Sequence, residues 1–354
     1  MEFTFAKAIK IGSRVVSHNR APFFIAEAGV NHNGELDCAY RLIDAAKRVG
    51  ADAVKFQSFR AERLVSKKTP KVAYQQSTTN RDETHYDMLK KLEIDEQFQR
   101  KLFRYCREQR ILFLSTPYDV PSARFLDRLG VPAFKIASAD IVDLPLHEFV
   151  ASTGKPVIFS VGMASLGEIE HILAIYRRHQ NPKVIMLHCV SNYPASAESL
   201  NLAVINTLRS AFGTLVGYSD HSLGNVAGIV AASLGACVFE KHFTLDKNAP
   251  GPDHQASAEP EEFRSLVCAI RLVPHVFGSS VKIVQAEEAS MRSISRKSLV
   301  ALSDIPKGVR IRQHMLTLKR PGSGIPYTEL PGVIGRRAAH LIRKDSLISY
   351  DSFV

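Results

Sequence analysis

The chain has 354 residues, of which 45% are hydrophobic and 23% are charged, a composition typical of a globular protein with a large core and room for a second domain. No apolar run is long enough to cross a bilayer and no stretch at the start has the pattern of a secretion signal, so we expect a soluble, cytoplasmic protein with no membrane partner. The net charge of +11 suits an acidic small-molecule substrate better than nucleic acid, because the chain has neither an aromatic–basic RNA-binding pattern nor a Cys/His finger.

Polar and apolar residues alternate over the first twenty residues, as in a β-hairpin that covers one end of a domain. Eight short apolar or β-branched runs follow, and segments of helical periodicity lie between and after them. Buried strands, each followed by a helix, are typical of an α/β fold of the (β/α)₈ TIM-barrel type. A doubly wound open sheet is the alternative, but no GxGxxG follows the first run. The predicted strands are residues 23–29, 53–57, 111–115, 133–137, 156–160, 184–189, 214–219 and 236–242.

A long connection and a basic tail complete the chain. The connection from Ser58 to Glu93 is unusually long, as active-site covers often are. Residues 279–292 are predicted to link the barrel domain, residues 1–278, to a small module, residues 293–354. This module carries eleven Lys or Arg residues against four Asp or Glu residues, so it holds most of the net positive charge.

Every predicted strand ends in polar side chains. Active sites of TIM barrels lie at the C-terminal ends of the strands, so these side chains are expected to meet in one mouth. Eight strands that behave alike are hard to obtain by chance, and the pattern indicates an enzyme active site. The residues are Glu27, Lys55, Gln57, Ser115, Thr116, Lys135, Ser138, Ser160, His188, Ser219, Asp220, His221, Glu240, Lys241 and His242.

Two histidines in this set, His221 and His242, lie at the ends of neighbouring predicted strands. Two imidazoles in that position can share one divalent metal ion, with water and carboxylate oxygens as the other ligands. The alternative is that each histidine is a hydrogen-bonded polar residue of the core. The pair on adjacent strands, next to an Asp-containing loop, favours the metal site.

Two lysines, Lys55 and Lys135, would point into the mouth from the second and fourth strands. A buried lysine without an anion is costly, so a phosphate or carboxylate ligand is expected there, unless the lysines pair with Glu27 or Asp140. Glu27 is a candidate acid/base residue, with charge balance as its alternative role. The residues together predict a metal-assisted reaction on a phosphorylated or carboxylated small molecule. Hydroxyl donors for its oxygens come from Ser138, Ser160 and Ser219.

Eight collinear motifs carry a specific resemblance across nearly the whole chain. They are IAEAGVNHNG (25–34), GADAVKFQ (50–57), STPYD (115–119), FKIASAD (134–140), KPVIFSVGM (155–163), HCVSNYP (188–194), GYSDHS (217–222) and EKHFTLDKNAPGPDH (240–254). The chain resembles the sialic acid synthase family, which includes N-acetylneuraminate, legionaminate and pseudaminate synthases. Its tail, which contains SRKSLVALSDIPKGVRIRQHMLTLKRPGSGI, resembles that family's small, β-rich C-terminal antifreeze-like (SAF) domain.

The resemblance implies an N-acetylneuraminate synthase that condenses phosphoenolpyruvate with N-acetylmannosamine and releases phosphate. It implies a divalent metal, with Mn²⁺ as the first expectation and Mg²⁺ or Co²⁺ as alternatives. It also implies a domain-swapped homodimer, in which one subunit's SAF domain closes the barrel of the other, and no nucleic-acid partner.

Site residues are carried over from the family by motif. His221 and His242 match the metal ligands, and Glu27 matches the proposed acid/base residue. The phosphoenolpyruvate-binding positions are Lys55, Thr116, Lys135, Ser138, Ser160 and Ser219. The sugar-binding positions are Gln57, Asp140, Tyr193, Asp253 and Arg320, the last of which is expected to reach across the dimer to the acetamido group.

Two departures from the family pattern bear on the sugar. Asp140 stands where many members carry Glu, and Ser191 stands where some carry Asn. The sugar contacts at these two positions are therefore expected to differ from those of the other members. The sequence PGPDH around Asp253 is more similar to that of sialic and legionaminic acid synthases than to that of pseudaminate synthases. The alternatives are therefore a legionaminate-type synthase, another metal-dependent barrel lyase or aldolase, and a carbohydrate- or nucleic-acid-binding protein that works through its basic tail.

Overall fold

The structure is a computed structural model that describes residues 3–72, 75–76, 79–80 and 82–354. The chain divides into two compact units, residues 1–278 and 279–354. The first two residues of the predicted hairpin segment, and part of the predicted cover between Ser58 and Glu93, lie outside the described residues. Within the described ranges, no helix is both long enough and apolar enough to cross a membrane.

The first unit starts with an antiparallel hairpin of β1 (Ile9–Ile11) and β2 (Arg14–Val16). Eight parallel strands follow, at the positions that the apolar runs predict. They are β3 (Phe23–Gly29), β4 (Ala53–Ser58), β5 (Leu112–Pro117), β6 (Phe134–Ile136), β7 (Val157–Ser160), β8 (Val184–His188), β9 (Leu215–Asp220) and β10 (Val238–His242).

These eight strands form a nearly closed barrel. Their hydrogen-bonded order is β5-β4-β3-β10-β9-β8-β7-β6, and the two end strands, β5 and β6, lie beside each other. The strands are paired in parallel throughout. The predicted TIM barrel is confirmed, and the open-sheet alternative is wrong because the first strand pairs with the last.

Helices cover the outside of the barrel, so the strands are buried on both faces and need no polar alternation. Side-chain caps fix several helix starts: Asp119 accepts from the Ser122 amide and Ser165 from the Glu168 amide. The helices are α1 (Leu36–Arg48), α2 (Ala61–Leu64), α3 (His85–Leu92), α4 (Glu96–Glu108), α5 (Val120–Leu129), α6 (Leu144–Ser152), α7 (Leu166–Arg178), α8 (Val204–Phe212), α9 (Val226–Ser233) and α10 (Pro260–Phe277).

The barrel interior is apolar at its N-terminal end. Ile9 and Ile11 of the hairpin are fully buried and belong to the same cluster as Phe23, Ile158 and Leu215 from the barrel strands. The hairpin therefore seals this end, as the alternating pattern predicts. Water and ligands can therefore enter the barrel from the opposite end, where the strands end in polar residues.

The second unit is small and has its own core. It contains α11 (Ala289–Ser295), an antiparallel pair of β11 (Ser298–Ala301) and β12 (Leu316–Lys319), and α12 (Leu330–Val333). Isolated bridges, such as that between Ile305 and Ile342, add further antiparallel contacts. Helix α11 crosses the predicted boundary between linker and module at residue 293.

Gly217 in β9 tests the tight packing of the barrel wall. A Cβ atom there would lie 2.4 Å from the Val238 carbonyl oxygen and 2.6 Å from a methyl group of Leu187. We predict that Gly217→Ala lowers the free energy of unfolding by about 1–3 kcal/mol, measured by urea denaturation, because backbone and core must shift. The control is Gly167→Ala in α7, where a Cβ meets only the Ser165 hydroxyl at 4.0 Å. The control should not destabilise the protein, and equal stability of both variants would contradict the packing argument.

Candidate active site

The parallel register brings the predicted catalytic strand ends to one level. In the pairing of β3 with β4, Glu27 is opposite Lys55, and in the pairing of β10 with β3, His242 is opposite Glu27. A β-bulge follows Glu27 and turns the chain away at Gly29, which has a φ of 53°. The result is a polar layer at the barrel mouth, directly above the apolar interior.

Lys55 forms the closest contact of this layer. Its Nζ lies 2.6 Å from Glu27 Oε2 and 3.8 Å from Glu240 Oε1, and it donates a hydrogen bond of 2.9 Å to Thr116 Oγ1. Burial disfavours the ammonium, but the two carboxylates outweigh burial and raise the pKa of Lys55. The sequence alternative of a Lys55–Glu27 ion pair is therefore present, and it lies within the mouth.

Lys135 occupies the other side of the mouth. Its Nζ donates a 2.8 Å hydrogen bond to Ser160 Oγ and lies 3.4 Å from Glu240 Oε1. Burial lowers the pKa of Lys135, although Glu240 opposes the change. In the part of the chain that the structure describes, neither lysine forms an ion pair with Asp140.

The sequence analysis placed Glu240 among the strand-end residues of the mouth but gave it no role. Its carboxylate faces both lysines and accepts a 3.3 Å hydrogen bond from Ser219 Oγ. Burial opposes ionisation, but Lys135 and Lys55 together lower the pKa of Glu240. The signal that could have given it a role is the alternation along β10, which puts Glu240 and His242 on the same face.

Glu27 differs from Glu240 in its environment. It is 2% exposed, and Gln57 Nε2 donates a 3.0 Å hydrogen bond to its Oε1. Burial raises the pKa of Glu27, Lys55 counteracts this, and the nearby Glu240 charge raises the pKa further. Two carboxyl groups with pKa values shifted in opposite directions can divide acid and base roles between them.

Ser138 follows β6 at the same end of the barrel. Its Oγ lies 3.0 Å from Cys189 Sγ and accepts a 3.0 Å hydrogen bond from the Gly162 amide. A Cβ atom at residue 162 would lie 2.5 Å from Ser191 Oγ, 2.8 Å from Cys189 Sγ and 3.0 Å from Ser138 Oγ. Glycine is therefore required at this point, and Ser191 lines the same corner.

His221 and His242 are neighbours, with ring centroids 5.7 Å apart. The Val190 carbonyl oxygen lies 2.7 Å from His221 Nδ1, which fixes Nδ1 as the protonated nitrogen and leaves the lone pair on Nε2. His242 Nδ1 is buried, has no hydrogen-bond partner among the residues that the structure describes, and lies 3.8 Å from Asp253 Oδ2. Burial lowers the pKa of both rings, so they are neutral near pH 7.

Neutral, buried imidazoles suit a divalent metal ion, so the two histidines fit such an ion. His221 Nε2 has only a long contact, 3.4 Å, with Ser219 Oγ among the described residues. Within the described ranges, no group of three or more His, Cys, Asp or Glu side chains is arranged to hold a metal. The chain therefore offers two histidine ligands, and water or substrate oxygens would fill the remaining coordination positions of the metal.

Asp253 and Tyr193 lie beside the two histidines, and Asp140 is a further carboxyl group with a perturbed pKa. The Tyr193 ring lies 4.2 Å from the His221 ring and 5.4 Å from the His242 ring. Burial, with a contribution from Glu27, raises the pKa of Asp253 to about 7. Burial, with a contribution from Asp143, raises the pKa of Asp140 to about 7. Within the described ranges, Asp140 Oδ2 is buried and accepts no hydrogen bond.

Tyr118 is a residue that the sequence analysis missed. It follows β5 directly, and its ring packs edge-on against Phe59. Burial is the main cause that raises its pKa, and the charges of Asp140 and Glu27 add to it. The motif STPYD contains this tyrosine, but the motif alone does not show that its side chain points into the mouth.

Lys241, Asp220 and His188 also end barrel strands, but their side chains form structural contacts. Lys241 Nζ binds Asp220 Oδ2 at 2.7 Å and the Ser222 carbonyl oxygen at 2.6 Å. His188 Nε2 lies 2.7 Å from the Leu200 carbonyl oxygen. Arg320 is exposed in the second unit, after β12, and its predicted sugar contact stays a prediction.

Comparison with known proteins identifies relatives over nearly the whole chain. A model of the NeuB family matches residues 42–282, and a model of the SAF domain matches residues 296–354. The chain is 44% identical to an N,N'-diacetyllegionaminic acid synthase of Campylobacter jejuni, over 92% of this chain and 98% of that protein. It is 36% identical to the human N-acetylneuraminate-9-phosphate synthase, over 92% and 91%.

A solved structure agrees with these relatives. The crystal structure of an N-acetylneuraminic acid synthetase from Leptospira borgpetersenii in complex with citrate matches with a TM-score of 0.71 and 35% sequence identity. The match covers 82% of this chain and 96% of that chain.

Asp140 makes the stability of the protein depend on pH. Its pKa is about 7 in the folded chain against an ordinary value of 3.8, so the folded protein keeps a proton that the unfolded chain releases. Stability is therefore lost as pH rises through this window. We predict that Asp140→Asn becomes more stable relative to the wild type between pH 5 and pH 8, measured by urea denaturation. A difference that is the same at both pH values would show that this carboxyl group is not the cause.

Proposed function

This chain belongs to the NeuB family, and we propose that it condenses phosphoenolpyruvate with N-acetylmannosamine to give N-acetylneuraminate and phosphate. One observation carries the proposal. Lys55 and Lys135 are both buried, both carry hydroxyl partners, and both lie in the same mouth as two neutral histidines. This arrangement suits a small, multiply charged anion next to a second, uncharged substrate.

A second sugar deserves a separate test. The chain is 44% identical to a synthase whose product carries two acetyl groups, against 36% for the human neuraminate-9-phosphate synthase. That difference favours, as a second candidate, the 6-deoxy diacetamido relative of N-acetylmannosamine. We propose that both sugars would react at the same anion subsite and would differ in their contacts near Asp140, Tyr118 and Asp253.

In the proposed complex, the lysines and hydroxyl groups hold phosphoenolpyruvate. Lys55 and Lys135 supply positive charge, and their hydroxyl partners Thr116 and Ser160 are already hydrogen-bonded to them. Ser138 and Ser219 add further donors. Before the anion binds, the negative charge of Glu240 lies near both lysines and offsets the repulsion between their ammonium groups.

The proposed chemistry uses these residues for orientation and proton transfer. C3 of phosphoenolpyruvate attacks the aldehyde carbon of the open-chain sugar and forms the new C–C bond. Water adds at C2, where positive charge develops, and the tetrahedral intermediate then loses phosphate. Glu27, held by Gln57 and with a raised pKa, orients this water or moves its proton.

His221 and His242 would hold a divalent metal, with Mn²⁺ as the first choice, which would supply Lewis acidity to the aldehyde oxygen. Asp253 and Tyr193 border the histidines and are proposed to contact the sugar hydroxyls. We further propose that the protein acts in the cytoplasm as a domain-swapped homodimer, in which the partner subunit's Arg320 binds the acetamido group of the sugar.

The direct test is phosphate release from phosphoenolpyruvate with each sugar in turn, in the presence of Mn²⁺. Release that depends on N-acetylmannosamine supports the first candidate, and a higher kcat/KM for the diacetamido sugar supports the second. Release with neither sugar would overturn the proposed function, and aldol chemistry without consumption of phosphoenolpyruvate would indicate a lyase or aldolase.

We predict that Lys135→Met raises the KM for phosphoenolpyruvate by about 10- to 150-fold, because it removes charge-assisted hydrogen bonds worth about 1.5–3 kcal/mol. Steady-state kinetics with the sugar held at saturation measures this change. The matched control is Lys241→Met, which removes a buried lysine that binds Asp220 outside the mouth. The control should lose stability while its KM for phosphoenolpyruvate stays unchanged. An unchanged KM in Lys135→Met would assign that lysine a purely structural role.

We predict that mixing Arg320→Ala subunits with Lys135→Met subunits partly restores activity. In a swapped dimer, one of the two composite sites then has an intact barrel and the partner subunit's Arg320. Mixed dimers are isolated by two different affinity tags and assayed against both parents. Mixed dimers without recovery above the parents would show that Arg320 does not act in the neighbouring subunit's site.

A further inference from the structure

Asn31 lies just beyond the point where β3 turns away from its neighbour β10. The pairing of these strands reaches Glu27 and His242, and the Phe243 amide still donates a 2.7 Å hydrogen bond to the Glu27 carbonyl oxygen. After the bulge at Glu27, the backbone of β3 no longer pairs with β10. Asn31 replaces it, because its Nδ2 donates a 2.9 Å hydrogen bond to the Phe243 carbonyl oxygen.

The second N–H of the Asn31 amide starts a chain of two hydrogen bonds that ends at Asp253. Asn31 Nδ2 also donates a 2.9 Å hydrogen bond to Ser257 Oγ, and Ser257 Oγ donates a 2.6 Å hydrogen bond to the Asp253 carbonyl oxygen. A carbonyl oxygen only accepts, so the nitrogen of the amide must face Phe243 and the direction of both chains is fixed.

This arrangement connects two functional residues that lie eleven positions apart in sequence. One arm holds the residue directly after His242, and the other holds the backbone of Asp253. Asn31 is 1% exposed and Phe243 is fully buried, so water cannot readily replace either hydrogen bond. Backbone hydrogen bonds from the Ala258 amide to the His242 carbonyl oxygen and from the Thr244 amide to the Ala258 carbonyl oxygen still join the end of β10 to this loop. Loss of the Asn31 amide would therefore loosen this junction locally, at Phe243 and Ser257, without separating the two segments.

We propose that Asn31 is a positioning residue that sets the place of His242 through Phe243 and the place of Asp253 through Ser257. The inference rests on the proposed function for the roles of His242 in metal binding and Asp253 in sugar binding. It adds a residue that the family resemblance did not assign to any role.

The two arms can be separated by mutation. Asn31→Ala removes both, and Ser257→Ala removes only the arm to Asp253. Asn31→Leu, which keeps the shape of the side chain without a donor, serves as the second variant if Asn31→Ala does not fold. Asn181→Ala is the matched control, because Asn181 is similarly buried and donates a hydrogen bond to the Lys155 carbonyl oxygen. Asn181 precedes β8 and therefore lies at the other end of the barrel.

The first measurement is the binding of Mn²⁺ alone to the metal-free, full-length chain, followed by the electron paramagnetic resonance signal of free Mn²⁺. Asn31→Ala and Asn31→Leu should weaken binding by about 10- to 100-fold, as is usual when a residue supporting a metal ligand is removed. Ser257→Ala and Asn181→Ala should bind within twofold of the wild type. The second measurement is kinetic: Ser257→Ala should raise the KM for the sugar about tenfold and leave the KM for phosphoenolpyruvate unchanged.

Wild-type Mn²⁺ affinity in the Asn31 variants, or an equal loss in Asn181→Ala, would overturn the positioning role. A wild-type chain that binds Mn²⁺ but releases no phosphate with either sugar would overturn the proposed function alone. A wild-type chain that binds no Mn²⁺ would overturn both.

Discussion

The structure depends on four charges that the barrel removes from water at one level of its mouth. Lys55 contacts Glu27 at 2.6 Å, and Lys135 lies 3.4 Å from Glu240, all four residues being less than 9% exposed. Burying such pairs costs more desolvation energy than an apolar core of the same volume, so they are poor evidence for a stabilising role. Their presence above an otherwise apolar interior indicates a site that is arranged for a charged ligand.

The same charges set the protonation of the residues around them. Burial and the neighbouring lysines keep His221 and His242 neutral, as a metal ligand must be. Glu27 adds to the effect of burial on Asp253, whose pKa reaches about 7. The mouth thus holds carboxyl groups that carry protons near neutral pH beside a carboxylate, Glu240, that does not.

Most of the barrel could be predicted from the sequence, because each strand is a short apolar run and each run ends in a polar residue. The structure shows all eight strands within two residues of the predicted bounds, and it brings Glu27, Lys55 and Lys135 together. Strand-end polarity alone could not tell inward from outward side chains. Lys241 and Asp220 have the right composition for an active site, yet they pair with each other at 2.7 Å outside the mouth.

Other features needed three-dimensional information. Tyr118 and Asn31 lie in loops whose path depends on the turn after β5 and on the β-bulge after Glu27, and no sequence periodicity indicates such turns. Ser58 to Glu93 was predicted as a long connection, and its described part contains α2 and α3, packed through Phe59 and Met88. Short helices of this kind lack the length that makes a periodic pattern recognisable.

The most direct test of the charged mouth is proton uptake when phosphoenolpyruvate binds. An anion next to Lys135, Glu27 and Asp253 must raise their pKa values, so binding near pH 7 should draw protons from the buffer. Titration calorimetry in two buffers with different ionisation enthalpies measures this uptake. The account predicts net proton uptake for the wild type and less for Lys135→Met. Identical binding heats in both buffers, or proton release, would contradict it.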